Sequence, residues 1–365
     1  MKCIYCGTDS KYKERSSGHC SQCHKRFAFE PKSGDPFTDA GFKSAIDAVS
    51  SDGKVRWGVE HLYYELRRRR MRTRLKKEHV FAGGIVLVVV MSWLGGPVAI
   101  FSNPLAAMLF ILTLGAVVGV GWLTVRPRAG RTLGPSQDPE FDRLWERWVA
   151  VHGRPQGLIV RKDKPQRLGA PEPDIADYSF DRAVICDRAR TVDLLVANNF
   201  HFENNCAVLA IGGYPQGPFE TIRTMLKRNP KLQVFALHDA DVPGCRLAHQ
   251  LATDDAWFKG QASVTDVGLR PKQAEPHRRL LLSVPTAAVP SDRGISDDEA
   301  RWLSTYALEL AVIRPEQVLK RLFRAINRKE KAAGDSEGTS ATGDSDTSSF
   351  SSDAGDSDGA ADAFG

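Results

Sequence analysis

The strongest constraint on this chain is a pair of long uncharged runs. Val80–Phe101 and Leu105–Val125 hold 22 and 21 residues without a charged side chain, separated by the polar turn Ser102-Asn103-Pro104. As helices each would span roughly 30 Å, the thickness of a bilayer's hydrocarbon core. Glycines within them, including Gly115 and Gly119 at small-xxx-small spacing, would let the two helices pack closely. Both outer flanks are basic, with eight Lys/Arg in Arg67–Lys77 and then Arg126, Arg128 and Arg131. That symmetry predicts a transmembrane helical hairpin over 80–125, two-pass in the cytoplasmic membrane, with both termini cytoplasmic and the lipid bilayer as partner. The basic run would also suit anionic headgroups or nucleic acid.

Charge is placed unevenly. The chain carries +6 overall, but residues 332–365 hold eight acids and no Lys or Arg, leaving +14 on residues 1–331. A basic body favours anionic surroundings. The tail itself, rich in Ser, Gly and Asp, is expected to be disordered. Met1–Arg15 is polar and has no apolar stretch, so no signal peptide is expected. Seven cysteines, three of them scattered among apolar residues, fit a reducing compartment better than a disulfide framework.

Four of those cysteines form Cys3-x-x-Cys6 and Cys20-x-x-Cys23, thirteen residues apart. Two such knuckles make a tetrahedral thiolate site, predicting a structural zinc ribbon over 1–33 that is also a surface for protein partners. Cys20-Ser21-Gln22-Cys23-His24 also matches the haem-attachment pattern, but that reading leaves the first pair unexplained.

Between ribbon and apolar runs, Phe42, Ile46 and Val49 predict a helix over Asp39–Val49, and Val59, Leu62, Tyr63 and Leu66 a second over Trp57–Arg70. They make a helical juxtamembrane segment over 34–79, either a collar or a winged-helix remnant. Within a linker over 126–170, Asp138-Pro139 opens an amphipathic helix that Gly153 ends.

From Ala183 apolar strands alternate with amphipathic helices, predicting a parallel sheet with helices on its faces. Polar residues fall where strands end: Asp187 after the first, Gly212-Gly213-Tyr214-Pro215 after the second, His238-Asp239-Ala240-Asp241 after the third. Ligands of such sheets sit beyond those ends. Three converging carboxylates repel unless a cation compensates them, and Mg²⁺ suits few carboxylates plus phosphate oxygens. The paired glycines would let a phosphate approach the backbone.

These residues resemble a Toprim domain, and within that group the catalytic subunit of topoisomerase VI. The resemblance rests on Asp187 after the first strand, Gly213-Tyr214-Pro215, and Asp239-Ala240-Asp241-x-x-Gly244, and covers about 85 of 365 residues. It implies a Mg²⁺-dependent activity on nucleic-acid phosphodiesters, with Asp187, Asp239 and Asp241 catalytic and metal-binding. The family's first acid is usually Glu, one methylene longer than Asp187. The same family carries a nucleophilic tyrosine upstream, which maps onto Tyr64 in Leu62-Tyr63-Tyr64, although Glu60 stands where the family usually has Arg.

The expected architecture is thus α/β: a Toprim-like parallel sheet over 171–292, the ribbon, the hairpin, C-terminal helices over 293–331 and the acidic tail. The C-terminal part opens with the capping box Ser296–Glu299, expected to start a helix through about Ile313, and Arg314-Pro315 starts another. Two functions fit: a membrane-anchored, topoisomerase-like enzyme acting on DNA or other nucleic acid, or a noncatalytic tethered scaffold with a degenerate Toprim-like domain.

Overall fold

The computed structural model describes residues 1–15, 17–72, 134, 137–160, 180–260, 263–284 and 288–337. Its centre is a four-stranded parallel sheet of β1 (Arg182–Cys186), β2 (Cys206–Ala210), β3 (Gln233–Leu237) and β4 (Ser263–Asp266), in the order β2-β1-β3-β4. The three longer strands are short apolar runs of Val, Ile, Leu, Ala and Phe. Such runs suit strands covered on both faces. Because side chains alternate, each strand feeds two cores. Ala183, Ile185, Ala207, Leu209, Val234 and Ala236 face one way, while Val184, Cys186, Val208, Ala210, Phe235 and Leu237 face the other.

Two helices cover the first face. Helices over Phe219–Arg228 and Val242–Thr253 bury Phe219, Leu226, Leu247 and Leu251 there, with Trp257 and Phe258 from the loop that follows. The second face is covered by Val192 and Leu195 of the helix Ala189–Ala197, and by Val318, Leu322 and Ile326 of the helix Pro315–Glu337.

The same core extends into the amino-terminal third. We number helices α1 (Asp39–Val49), α2 (residues 59–72) and α3 (Pro139–His152). The Thr38 hydroxyl accepts from Gly41 N–H to start α1, and the Asp138 carboxylate accepts from Glu140 and Phe141 N–H to start α3. Their apolar faces close on aromatic pairs: Phe42 stacks on Trp148 at 4.7 Å, and Tyr63 meets Phe141 edge-on at 5.2 Å. Trp57, Leu62, Tyr64 and Leu66 join the cluster that contains Val184 and Phe235. The connection is also polar, since Arg56 N–H donates to Asn198 Oδ1 at 2.8 Å while Asn198 Nδ2 donates to the Arg56 carbonyl at 3.0 Å.

Two expectations need correction. The transmembrane hairpin expected over 80–125 lies outside the described residues, and among the described residues no helix is long and apolar enough to cross a membrane. The two-pass placement in the cytoplasmic membrane and the membrane part of the fold class are therefore withdrawn, leaving an α/β fold with a parallel sheet. The first four arginines of the basic run that had set the orientation are occupied within the protein. Arg67 donates to Tyr63 and Asp138, Arg68 to Glu65 and the Val312 carbonyl, Arg69 to Glu65 and the Gly41 and Ser44 carbonyls, and Arg70 to Glu140.

The second correction concerns Ser296. Its capping box is present, but the helix it opens runs only over Asp297–Leu303. The chain then pairs as a strand, Tyr306–Ala307 against Leu282–Ser283, and Leu308 pairs with Ala240. A cap fixes where a helix begins, while β-branched Thr305 and the backbone partners on Ala240 decide where this one stops.

Candidate metal centres

The sheet order creates the first centre. Connections leave β1 toward β2 and β3 toward β4, so a crevice opens between β1 and β3 at their carboxyl ends. Asp187 and the Asp239–Asp241 loop emerge there side by side. One oxygen from each of Asp187, Asp239 and Asp241 lies within 4.8 Å of the others. Opposite ligands of an octahedral Mg²⁺ are about 4.2 Å apart, so a small contraction would let one cation take all three.

Each carboxylate is already partly committed. Asp187 Oδ2 accepts from Asp239 N–H at 2.9 Å, Asp239 Oδ1 accepts from Leu310 N–H at 2.7 Å, and Asp241 Oδ1 caps the helix Val242–Thr253 by accepting from Gly244 N–H at 2.8 Å. Asp187 Oδ1 is buried without a hydrogen-bond partner. That unpartnered oxygen is free to serve as a cation ligand. Burial, then the Asp239 charge, push the Asp187 carboxyl up to about 7. Burial also raises Asp241, against the Gly244 N–H and with the Asp239 charge adding.

A guanidinium stands among the acids. Arg188 Nε lies 3.6 Å from Asp187 Oδ2 and 3.3 Å from Asp239 Oδ2, and the same side chain pairs with Asp241. Arg190 bridges Asp239 Oδ2 at 2.9 Å and Glu309 Oε1 at 3.3 Å. With Arg188 half-exposed on a flexible stem, an incoming cation can replace its head among the acids. The three carboxylates can thus hold a divalent cation.

Behind the acids lies a buried support. His238 Nδ1 donates to the Asp239 carbonyl at 2.7 Å and Nε2 meets Asp266 Oδ1 at 3.0 Å. Burial alone would lower this histidine, but two acceptors on its ring favour the charged form and raise it instead. Asp266 in turn pairs with Arg270 at 2.6 Å.

Tyr64 is three links from the acids, through Glu309 and Arg190. It is fully buried on α2, and its hydroxyl donates to Glu309 Oε2 at 3.1 Å. Burial, then the Glu309 charge, push its phenol well above the ordinary tyrosine range. Gly212 and Gly213 form an open turn at the end of β2, beside β1; Gly213 has φ +87°, and a Cβ at either would meet no atom within 4 Å. Arg188, Arg190, His238 and Glu309 were missed as members of this site. Arg188 and His238 directly flank the chosen acids and Arg190 lies three residues beyond Asp187, and that nearness was the available signal. Glu309 gave none, because it fell in the stretch expected to be helix.

The second centre is the ribbon. Cys3, Cys6, Cys20 and Cys23 gather within 4.8 Å, with Cys3–Cys23 and Cys6–Cys20 sulfurs each 3.6 Å apart. A tetrahedral Zn²⁺ at about 2.3 Å from each sulfur sets sulfurs about 3.8 Å apart, so the cluster can bind zinc. The two knuckles repeat one backbone pattern. Gly7 N–H donates to the Cys3 carbonyl and His24 N–H to the Cys20 carbonyl, both at 3.0 Å, with φ +75° at Gly7 and +55° at His24. The ribbon is joined to the body by Asp39, fully buried, which accepts from Ala28 and Phe29 N–H at 2.9 Å and meets His152 Nε2 at 2.7 Å.

Comparison with known protein families, with characterised proteins and with solved structures finds no match to this chain.

Proposed function

We propose that this chain is a Toprim-like, Mg²⁺-dependent protein acting on nucleic-acid phosphodiesters, with a zinc-stabilised ribbon as an accessory module. The observation that carries the reading is the convergence of Asp187, Asp239 and Asp241 within 4.8 Å at the crevice between β1 and β3. A bound Mg²⁺ would polarise phosphate oxygens and offset developing charge. Asp187, Asp239 and Asp241 would hold it, His238 would fix the Asp239 loop, and Gly212 and Gly213 would leave room for a phosphate. Arg188, displaced from the acids, would be free to face that phosphate.

Tyr64 reads best as an anchor for Glu309. A nucleophilic role would require its hydroxyl to leave Glu309 and the buried core. A covalent protein–DNA adduct that disappears in Tyr64→Phe would reverse this assignment.

One observation favours a binding role without catalysis. Arg188 and Arg190 already neutralise the acids, and Asp187 is shorter than the usual glutamate. The test is direct: incubate the full chain with labelled DNA and Mg²⁺ beside Asp239→Asn, and measure Mg²⁺ binding by calorimetry. Cation-dependent cleavage lost in Asp239→Asn supports the enzyme. Mg²⁺ binding without cleavage supports the binding role. If the intact chain takes up no Mg²⁺ at all, both the cation site and the phosphodiester reading fall.

A further inference from the structure

The acids open onto a cavity that the family resemblance does not account for. It measures about 320 Å³ and its lining includes the charged Arg188, Asp239, Asp241 and Glu309. It also includes the apolar Leu282, Val284, Leu303 and Leu308 and the ring of Tyr306. These residues lie beyond the parallel sheet in sequence, on the small antiparallel pair Leu282–Ser283 with Tyr306–Ala307 and on the helix before it.

The two parts of the lining are held in register. Ala240, between the two acids of the third strand's loop, donates to the Leu308 carbonyl at 2.8 Å and accepts from Leu308 N–H at 3.0 Å. Leu310 N–H then binds Asp239 itself. The apolar part is therefore fixed at the backbone to the loop that presents the carboxylates. Trp302 backs Tyr306 at 5.9 Å between ring centroids.

We propose that this cavity seats one unpaired nucleotide, its base against Leu282, Val284 and Tyr306 and its phosphate toward Arg188 and the acid cluster. The proposal rests on the reading of that cluster as a cation site acting on phosphodiesters. Three observations select the occupant. The charged part of the lining joins a guanidinium to a cation cluster, a pairing suited to a phosphate. The rest of the lining offers apolar and aromatic surface of the kind on which unstacked bases lie. The volume is at the small end for ligand pockets, which admits a single nucleotide and excludes a stacked base pair. The preferred substrate is therefore a single strand or a strand end.

The test uses the full chain, labelled oligothymidylate, the matching blunt duplex, and Ca²⁺ as the supporting cation. Val284→Trp fills the cavity from a half-exposed position, and Tyr306→Ala removes the ring. Thermal midpoint and zinc content report whether each variant is folded. The single strand is expected to bind about tenfold more tightly than the duplex, and each variant to lose about that factor while Mg²⁺ affinity by calorimetry stays unchanged. Equal binding of single strand and duplex, or folded variants that bind like the parent, overturns the cavity assignment while leaving the cation site intact. Failure of the parent to bind Mg²⁺, with the single-strand preference and its loss in the variants preserved, removes the cation reading and leaves the nucleotide seat standing.

Discussion

At Gly244 a methyl group would stand 2.3 Å from the Asp239 carbonyl oxygen and 3.1 Å from His238 Nδ1. Neither neighbour can yield, because the carbonyl belongs to the acid loop and the imidazole is fully buried. Gly244→Ala is expected to lower stability by about 1–3 kcal/mol in urea unfolding and to weaken cation binding in the same protein. Glu65 makes a second residue-level case. Its buried carboxylate receives Arg68 and Arg69 at 2.9 Å and Arg314 at 3.3 Å. Glu65→Gln leaves these arginines facing a neutral amide and is expected to lose about 1–3 kcal/mol, read from the denaturation midpoint. His277 gives a pH signature. Burial, with the Arg68 charge adding, pushes its imidazole from 6.5 down to about 4. The unfolded chain then takes up the proton first as pH falls, so the stability linked to this group is whole above pH 6.5 and drains away toward pH 4. The midpoint at pH 5 relative to pH 7 is expected to fall less in His277→Gln than in the parent.

Among the elements, the ribbon depends most on its ligands. Its own apolar cluster contains only Cys3, Cys20 and Phe27 as buried members. Elemental analysis of the parent is expected to find one zinc per chain and of Cys20→Ser none, with residues 1–27 of the variant exposed to protease while the sheet domain survives. This module was legible from sequence because CxxC spacing is a local geometric instruction. The strands and helices from Arg182 to Asp266 were legible for a related reason, since a short apolar run and a period near four are written in consecutive residues. The segment after Leu303 was not. Its strand, its tie to Ala240 and the contribution of Glu309 all depend on partners distant in sequence, 119 residues away for Arg190 and 245 for Tyr64, which no local period encodes. The arginines before residue 72 misled in the same way: a run of like charges says nothing of the Glu65, Asp138, Glu140 and carbonyl oxygens that receive them.

On the scale of the whole molecule, the cluster of Asp187, Asp239 and Asp241 is a coupling point. It draws Asp187 from β1, Asp239 and Asp241 from the loop after β3, and through Arg190 and Glu309 it reaches the chain beyond residue 300 and Tyr64 on α2. Any cation bound there stabilises the folded state by mass action. Mg²⁺ at a hundred times its Kd is expected to add about 2.7 kcal/mol and raise Tm by roughly 5–10 °C. Differential scanning fluorimetry on the parent and on Asp239→Asn checks this, with no rise expected in the variant.

The shared core of α1–α3 and the sheet carries a practical corollary. A fragment cut to begin at Arg182 would lose Trp57, Leu62, Tyr64 and Leu66 from the shared core and leave the Val312 carbonyl and Arg314 without Arg68 and Glu65, baring apolar surface that water rejects. Such a piece should precipitate or self-associate when produced alone, and supplying residues 1–160 as a separate polypeptide should rescue it. The amino-terminal third thus serves as a built-in subunit, the half of a heterodimer that never left its partner's chain.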